Sequence, residues 1–487
     1  ILTNPPWVRA TRQERTRKRV QQGRYACGGG GLWSEAQQSG VKATFGNQTD
    51  LAALFIERSL ELLAPGGRLC ALVPSKLLRA LHGAGIRGVL AEHRLIGIED
   101  LSNASREFFD ATTYPMILEV ERLEAAPERC RERSSVRAGI SRRRTPRRLE
   151  ATRPRPPARM GLWCGENLLR WEAPMESLLS IGVDAREPWM LVPPEMDGVL
   201  DAVRTCDASL GATESLRPRR GVLTGCNDAF LLDEEDTAEL FRSSPSLIED
   251  YSRPVLGGRD ISPWEARSDR RILWLYDEDL ELRGELPRFL WKYLEGHRGA
   301  LEARSDYRQG QPWWRLFRVQ PGIAGPKVVW RDLSMWMEAA PCMGGEIPLN
   351  TTYYIPCPDP VRAWGLCALL NSSPARAFLW SLAERARGGW RRHFAWVVSS
   401  LPMPARWSNW LSGSPDPELE ANIARWMTLA DGVAHADLSI AKDYGLDRAA
   451  FDELRRSLVF HVKHRGVFPE GEDTLAPTST PKQEVAA

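Results

Sequence analysis

Two consecutive prolines close to the start limit what the first residues of this chain can form. Residues 1–3 are Ile-Leu-Thr, a short run of the apolar and β-branched types that strands favour. Pro5 and Pro6 have no backbone N–H and hold φ near −65°, so a strand over residues 1–3 must end there. The sequence therefore predicts a strand that stops at Asn4-Pro5-Pro6-Trp7 and continues as a loop.

The same tetrapeptide carries groups suited to one kind of chemistry. The Asn4 side chain offers a carbonyl acceptor that is never charged at physiological pH, and the rigid prolines can hold the Pro5 carbonyl outward as a second acceptor. Trp7 adds a large flat face. Two acceptors beside a flat face suit a planar heterocycle with an exocyclic NH2, and they stabilise that nitrogen as it becomes pyramidal during attack on an electrophilic carbon. A rigid strand-to-loop turn with a core tryptophan is the structural alternative.

The first 123 residues are predicted to form an α/β domain. Apolar residues recur at helical spacing over residues 50–63, and Pro65-Gly66-Gly67 then turns the chain into an apolar strand over residues 68–73. Residues 95–101 and 114–120 are two further strand candidates. Strands and helices that alternate in this way favour a parallel or mixed sheet with helices on its faces.

Composition divides the rest of the chain. Twelve arginines lie between Arg129 and Arg159 among prolines, which predicts a cationic linker over residues 124–165, either a solvated hinge or a phosphate-binding arm. Residues 166–410 are rich in turns, tryptophans and short strand-like runs, residues 411–466 have amphipathic helical patterns, and residues 467–487 form a polar tail expected to be disordered.

The cysteines and the hydropathy pattern exclude several classes of protein. The nine cysteines include no C-x-x-C, and no His/Cys cluster has zinc-ligand spacing, so neither a metal site nor a disulfide framework is predicted. No apolar run reaches transmembrane length and the N-terminus does not resemble a signal peptide. We expect a cytoplasmic protein with no membrane partner.

Three stretches of the first domain resemble one enzyme family in motif order and spacing. "ILTNPPW", "DLAALFIERSLELLAPGGRLCALVPSKLL" and "REFFDATTYPMILEVER" resemble the gamma-class N6-adenine DNA methyltransferases of restriction–modification and phage-defence systems. The resemblance implies an S-adenosylmethionine-dependent enzyme with Asn4, Pro5, Pro6 and Trp7 as its catalytic motif. It also implies that Phe109, or Phe108 as the alternative, stacks on a flipped-out adenine. Core packing is the structural interpretation of Phe109.

Six strings in the second half follow the order found in the target-recognition domains of single-chain restriction–modification methylases. They are "GVLTGCNDAFLLD", "YSRPVLGGRDI", "QPWWRLFR", "PKVVWRDLS", "LNTTYYIP" and "LCALLNSSPARAFLW…RARGGWRRHFAWVVSSLPMP". The resemblance implies that residues 166–410 recognise double-stranded DNA. The candidate DNA-binding residues lie in two glycine-containing loops and are Thr224, Asn227, Arg385, Arg387, Trp390, Arg391 and Arg392. A basic surface turn and a structural turn are the alternatives for these loops.

One part of the family pattern has no match. The family binds its cofactor through a strand, a glycine-rich turn and an acidic residue that precede the catalytic motif, whereas Gly28 to Gly31 come after that motif and follow no predicted strand. We therefore expect an incomplete Rossmann-like sheet with an incomplete S-adenosylmethionine site, in the C-terminal portion of a longer protein or in one piece of a split one. A missing N-terminal segment or a separate subunit would complete it.

Four functional hypotheses remain open from the sequence. The first is a site-specific adenine-N6 DNA methyltransferase, and the second is a DNA-binding specificity module whose methyltransferase domain is truncated or completed in trans. Methylation of RNA or of a protein amide is a third, and methylation of cytosine N4 is a fourth.

Overall fold

The computed structural model describes residues 1–8, 24–28, 32–33, 36–37, 41, 49–102, 114–124, 156–164, 167–180, 184–206, 208–386 and 389–465. The first part of the chain builds a six-stranded mixed sheet with the strand order β1-β2-β4-β3-β5-β6. Its strands are β1 (Leu2–Thr3), β2 (Arg68–Pro74), β3 (Arg94–Asp100), β4 (Pro115–Glu121), β5 (Ala158–Cys164) and β6 (Asn167–Ala173). The β1/β2 and β3/β5 pairs are parallel, and the other pairs are antiparallel.

Helices cover one face of this sheet because the strands alternate buried and accessible residues. In β2, for example, Leu69, Ala71 and Val73 are buried in the first core. Three helices pack in this region: α1 (Leu51–Leu62), α2 (Lys76–Arg79) and α3 (Ala84–Leu90). The predicted helix over residues 50–63 and the predicted strand over residues 68–73 are both present, so a mixed α/β fold is confirmed.

The sheet does not end where the sequence predicts. Residues 158–164 were predicted to belong to the linker and residues 167–173 to the recognition domain, but β5 and β6 are both strands of the first sheet. The physical reason is that Ala158, Met160 and Leu162 alternate along β5 and are buried in the first core. Residues 125–155 of the predicted linker and the predicted tail lie outside the described residues.

A second core lies between helices and a four-stranded sheet with the order β16-β14-β18-β8. Those strands are β8 (Arg219–Arg220), β14 (Lys327–Arg331), β16 (Ala339–Cys342) and β18 (Thr352–Pro356). The helices after residue 190 are α4 (Pro194–Arg204), α5 (Glu234–Leu240), α6 (Ile248–Tyr251), α7 (Arg288–Gly296), α8 (Arg298–Glu302), α9 (Pro360–Asn371), α10 (Ser373–Leu382), α11 (Ala395–Ser399), α12 (Ala405–Leu411), α13 (Pro417–Thr428), α14 (Gly432–Asp443) and α15 (Arg448–Arg465).

The opposite face of the same four-stranded sheet contributes to a third core. Val328 and Trp330 of β14 lie in the second core, and Val329 between them lies in the third. The remaining short strands are β7 (Ala208–Ser209), β9 (Leu231–Leu232), β10 (Ser252–Leu256), β11 (Ile261–Ser262), β12 (Glu265–Ala266), β13 (Arg271–Leu273), β15 (Leu333–Ser334), β17 (Ile347–Pro348), β19 (Glu384–Arg385), β20 (Arg391–Arg392) and β21 (Pro402–Met403).

The C-terminal helices are not a separate region. Leu419, Ile423 and Leu458, which follow the predicted boundary at residue 411, are buried in the second core together with residues from α9 and α10. In the part of the chain that the structure describes, no helix is both long enough and apolar enough to cross a membrane.

Candidate functional site

Asn4 lies where the first strand ends, as the two prolines predict. Leu2 pairs with Cys70 and Thr3 with Ala71, and no ladder pairing continues at Asn4. Because β1 and β2 are parallel, Asn4 and Ser75, the residue after β2, follow strand ends at the same edge of the sheet. Asn4 is exposed and Pro5 is buried, so the tetrapeptide is anchored through its first proline and presents its asparagine to solvent.

The contacts of Trp7 agree with the structural interpretation of this residue. Its half-buried ring packs against the first core, and its indole N–H donates to the carbonyl of Leu72 at 3.4 Å. The next residue, Val8, accepts a hydrogen bond from the backbone N–H of Leu51 at 3.0 Å. The Asn4–Trp7 turn is thus attached both to β2 and to the first turn of α1, and a stacking role for Trp7 stays a prediction.

A buried carboxylate fixes the start of α1 beside this turn. Asp50 is the N-cap of α1, and its Oδ1 accepts from the N–H of Ala52 at 3.1 Å. Its Oδ2 accepts from Lys76 Nζ at 2.9 Å. Asp50 therefore connects the helix that holds Val8 to the residue that begins α2.

A second polar group lies along the same edge of the sheet. Ser75 and Ser102 lie with their hydroxyl oxygens 3.1 Å apart, and Ser102 donates to the buried carboxylate of Asp100 through its N–H at 2.9 Å and through its hydroxyl. Arg385 Nη1 lies 4.0 Å from the Oδ2 of Asp100, and both side chains are almost completely buried. The sequence analysis assigned no role to Asp50, Ser75, Lys76, Asp100 or Ser102, although the first three lie in a stretch that carries the family resemblance, because their contacts form only in the folded chain.

Burial shifts the pKa values of charged side chains in this region, and nearby opposite charges oppose these shifts. Burial lowers the pKa of the Arg79 guanidinium, and the nearby Asp100 carboxylate opposes that effect. Burial raises the pKa of Glu384, and Lys76 is the first of several cations that oppose this shift. Arg79 also donates to the carbonyl of Ser381 at 3.1 Å, so the first sheet and α10 are joined by buried polar contacts.

Phe108 and Phe109 lie outside the described residues. The chain reaches this region from Ser102 and is described again at Tyr114, whose carbonyl accepts from the N–H of Ser75 at 2.7 Å. The described residues on either side, Ser102 and Tyr114, lie at the edge of the sheet that carries Asn4. Base stacking by Phe109 stays a prediction.

The arginine-rich loop has a different arrangement from the one predicted. Arg391 is buried, with its guanidinium carbon 4.4 Å from the ring centroid of Trp380, and Arg385 faces Asp100. Burial and these partners give both side chains contacts within the fold, and DNA contact by Arg385 and Arg391 stays a prediction. Arg392 is 42% exposed, and its Nη1 lies 3.0 Å from the Oδ2 of Asp332.

Trp390 and Arg387 complete the set of candidates in this loop. Trp390 is half-buried, and the guanidinium carbon of Arg331 lies 6.0 Å from its ring centroid. Arg387 lies outside the described residues.

The other predicted DNA-binding loop is held by its own hydrogen bonds. The buried Thr224 donates from its hydroxyl to the Oδ1 of Asn227 at 2.6 Å, and its carbonyl accepts from Arg304 Nη1 at 2.7 Å. Gly225 between them has φ +67°, which suits glycine. Thr224 therefore has a structural role in this loop. Asn227 is exposed, and DNA binding by these residues stays a prediction.

Comparisons with known proteins bear on the first domain and on the fold. Residues 1–108 match the family model of the Eco57I restriction-modification methylase. The type II methyltransferase M.PaeR7I of Pseudomonas aeruginosa is 25% identical over 380 residues, which cover 75% of this chain and 60% of that protein. The type II methyltransferase M.XhoI of Xanthomonas vasicola is 26% identical over 420 residues, which cover 84% of this chain and 70% of that protein.

A solved structure has a similar fold. The type IIL restriction–modification enzyme MmeI, in complex with DNA, has a TM-score of 0.53 and 13% sequence identity, and the match covers 95% of this chain and 56% of that chain. This chain thus spans less than two thirds of M.PaeR7I and of MmeI. The predicted resemblance to restriction–modification methylases is confirmed.

Proposed function

We propose, from the premise that residues 1–108 form a restriction–modification methylase domain, that this chain methylates adenine N6 at specific sites in DNA. Asn4 carries the proposal, because an exposed neutral amide stands at a strand end in the matched domain and is anchored by a buried proline. The relatives are named type II methyltransferases, which supports methyl transfer as the reaction.

In the proposed mechanism the chain acts on the acceptor nitrogen. After the base has left the duplex, the Asn4 side-chain carbonyl and the Pro5 backbone carbonyl accept hydrogen bonds from the two N–H groups of the adenine amine. Both contacts strengthen as the nitrogen becomes pyramidal and positive, so they stabilise the transition state more than the bound substrate. Asn4 stays neutral throughout and removes no proton itself.

The methyl donor is proposed to be S-adenosylmethionine, which supplies an electrophilic methyl group when bound. A donor site of the Rossmann type needs a glycine-rich turn after a strand at the edge where Asn4 lies. Among the described residues, Gly66 and Gly67 precede β2 at the opposite edge and Gly97 lies inside β3. Gly83 and Gly85 follow β2 but are separated from it by α2, so they do not form a turn directly after the strand. The described residues therefore do not fit the donor, and we assign none of them to it.

The absence of that turn from the described part of the chain favours a second candidate function. In it, the chain is a DNA-binding specificity module whose methyltransferase domain is completed by other residues. Both functions involve binding to DNA, and they differ in whether Asn4 takes part in methyl transfer.

Methyl transfer to duplex DNA separates these candidates. We expect Asn4→Ala to lower incorporation of labelled methyl groups from S-adenosylmethionine by about 10² to 10³, as for loss of a transition-state hydrogen-bond partner, with DNA affinity unchanged. The matched control is Asn409→Ala, because Asn409 is also exposed but lies on α12 in another part of the structure. Chromatography of digested product separates N6-methyladenine from N4-methylcytosine.

A chain that binds DNA but transfers no methyl group would support the specificity module. Equal incorporation by wild type and Asn4→Ala would refute the catalytic role of Asn4.

A further inference from the structure

An arginine cluster at one end of the four-stranded sheet begins with Arg220. Arg220 lies on β8 and pairs with Tyr353 of β18, and its guanidinium carbon is 5.8 Å from the Tyr353 ring centroid. Its Nε donates to the carbonyl of Asn350 at 2.7 Å, which orients the side chain and leaves its terminal N–H groups available.

Arg392 approaches the same place from the β19/β20 hairpin. Its Nη1 lies 3.0 Å from the Oδ2 of Asp332, whose backbone is bonded to Thr351, the residue after the Asn350 that accepts from Arg220. Burial raises the pKa of Asp332, and the charges of Arg392 and Arg220 both oppose that rise. Asp332 is itself anchored by its N–H, which donates to the carbonyl of Thr351 at 3.0 Å. The Asp332 carboxylate is therefore paired with Arg392 of β20, next to the segment that orients Arg220 of β8.

Arg318 supplies the third guanidinium from an unusual backbone conformation. It is exposed and has φ +64°, the left-handed region that side chains other than glycine rarely adopt. The residue before it, Phe317, exchanges two backbone hydrogen bonds of 3.0 Å with Leu223, and these hold the strained residue in place. Backbone strain of this kind concentrates at functional positions.

Backbone contacts bring the three arginines to the same part of the sheet. Arg220 pairs with Tyr353, the next residue Gly221 donates its N–H to the carbonyl of Thr352 at 3.1 Å, and Leu223 is bonded to Phe317 beside Arg318. Burial raises the pKa of Tyr353, and the charges of Arg220, Arg318 and Arg392 all oppose that rise. Asp332 is the one carboxylate whose charge adds to the rise in this pKa. Among the described residues neither Arg220 nor Arg318 is in an ion pair, so the cluster has an excess of two positive charges.

We propose that Arg220, Arg318 and Arg392 form a site for a phosphate group of the DNA backbone. The proposal rests on the DNA-binding function proposed above and adds the residues that hold the duplex by its charge. A group of guanidinium ions with too few carboxylates is complementary to an anion, and Arg matches the oxygens of a phosphate with paired N–H donors. Such a contact positions the protein on DNA of any sequence.

The test is the salt dependence of binding to generic duplex DNA. We would measure the dissociation constants of the full chain for two unrelated 30-base-pair duplexes by fluorescence anisotropy between about 50 and 300 mM salt. Arg220→Ala and Arg318→Gly should each weaken binding to both duplexes equally and reduce the slope of log K against log salt by about 0.9. Arg220→Lys should retain most of the slope, because lysine still neutralises a phosphate.

Folding controls accompany these variants. Arg318→Gly should unfold at the wild-type temperature or above, because glycine adopts the left-handed conformation without strain. Arg448→Ala should leave the slope unchanged, since Arg448 is 68% exposed but is paired with Asp452 on the distant helix α15.

Each outcome bears on a different claim. Wild-type slopes for both cluster variants, in a chain that binds DNA, would overturn the phosphate site and leave the proposed function standing. Loss confined to one duplex would overturn it in favour of base recognition. Failure of the wild-type chain to bind either duplex would refute DNA binding itself, together with the site.

Discussion

Replacing Asp50 is expected to loosen the helix that supports the Asn4–Trp7 turn. Asp50 is almost fully buried and uses both carboxylate oxygens, one as the N-cap of α1 and the other toward Lys76. The residue that follows it, Leu51, donates to Val8 next to Trp7. Opening of the first turn of α1 would therefore release the end of the Asn4–Trp7 turn.

The magnitude follows from these two contacts. Loss of an N-cap costs about 1 kcal/mol. A hydrogen bond to a charged group contributes about 1.5–3 kcal/mol, and we take the lower value because Lys76 is 28% exposed. Asp50→Ala should therefore cost about 2.5 kcal/mol, whereas Asp50→Asn keeps the capping oxygen and should cost about 1.5 kcal/mol.

Hydrogen exchange measured by mass spectrometry resolves this change locally. Protection of residues 51–62 should fall roughly 70-fold in Asp50→Ala and roughly 10-fold in Asp50→Asn, at about 1.4 kcal/mol for each factor of ten. Methyl transfer should fall in the same order if Asn4 acts as proposed. Equal loss of protection in both variants would refute the capping contribution, and a change below twofold would refute the whole estimate.

Asp359 provides a matched control. It caps α9 through the N–H of Arg362 at 2.8 Å and pairs with the Arg362 side chain at 2.8 Å, so its two oxygens are used in the same way. Because α9 lies in the second core, Asp359→Ala should reduce protection of residues 360–371 and leave methyl transfer unchanged.

Two further predictions concern pH and packing. Burial and nearby arginines lower the pKa of His393 to about 3, so the histidine stays neutral in the folded protein while it becomes protonated in the unfolded chain below about pH 6.5. The free energy of unfolding should therefore fall by about 1.4 kcal/mol per pH unit between about pH 6.5 and about pH 3. Urea unfolding at pH 7.5 and 5.5 should show a smaller loss of this free energy in His393→Gln than in the wild type. Gly85→Ala should destabilise the fold by about 2 kcal/mol, because a Cβ would lie 2.2 Å from the carbonyl oxygen of Cys27. Gly198→Ala, on an open helix face, should stabilise the fold by about 0.5–1 kcal/mol. The melting temperatures of the two variants should therefore shift in opposite directions.

Local chemistry determines the parts of the fold that the sequence predicts well. The strand before Asn4 ends at two prolines, and α1 and β2 each have a buried face with regular spacing. Strand β5 was missed because arginines and prolines precede it and hide its alternation of Ala158, Met160 and Leu162. Its place in the sheet depends on pairing with β3, about sixty residues earlier in the chain.

The candidate site divides in the same way. Asn4 could be placed at a strand end because the signal is contained in four adjacent residues. Arg391 was predicted to contact DNA, but packing against Trp380 buries it, and composition alone cannot distinguish these environments. Asp100 and Arg385 meet across 285 positions of sequence, so their contact is visible only in the folded chain.

The four-stranded sheet shared by two cores restricts how this protein can be recombined with its relatives. Adjacent residues of β14, Val329 and Trp330, face different cores, so each side of the sheet must be compatible with a different set of partners. A chimera that takes one of the two cores from a relative would pack that relative's side chains against one face of the sheet while the sheet itself stayed unchanged. Sequence exchanges with relatives should therefore be made either as surface side chains or as both cores together.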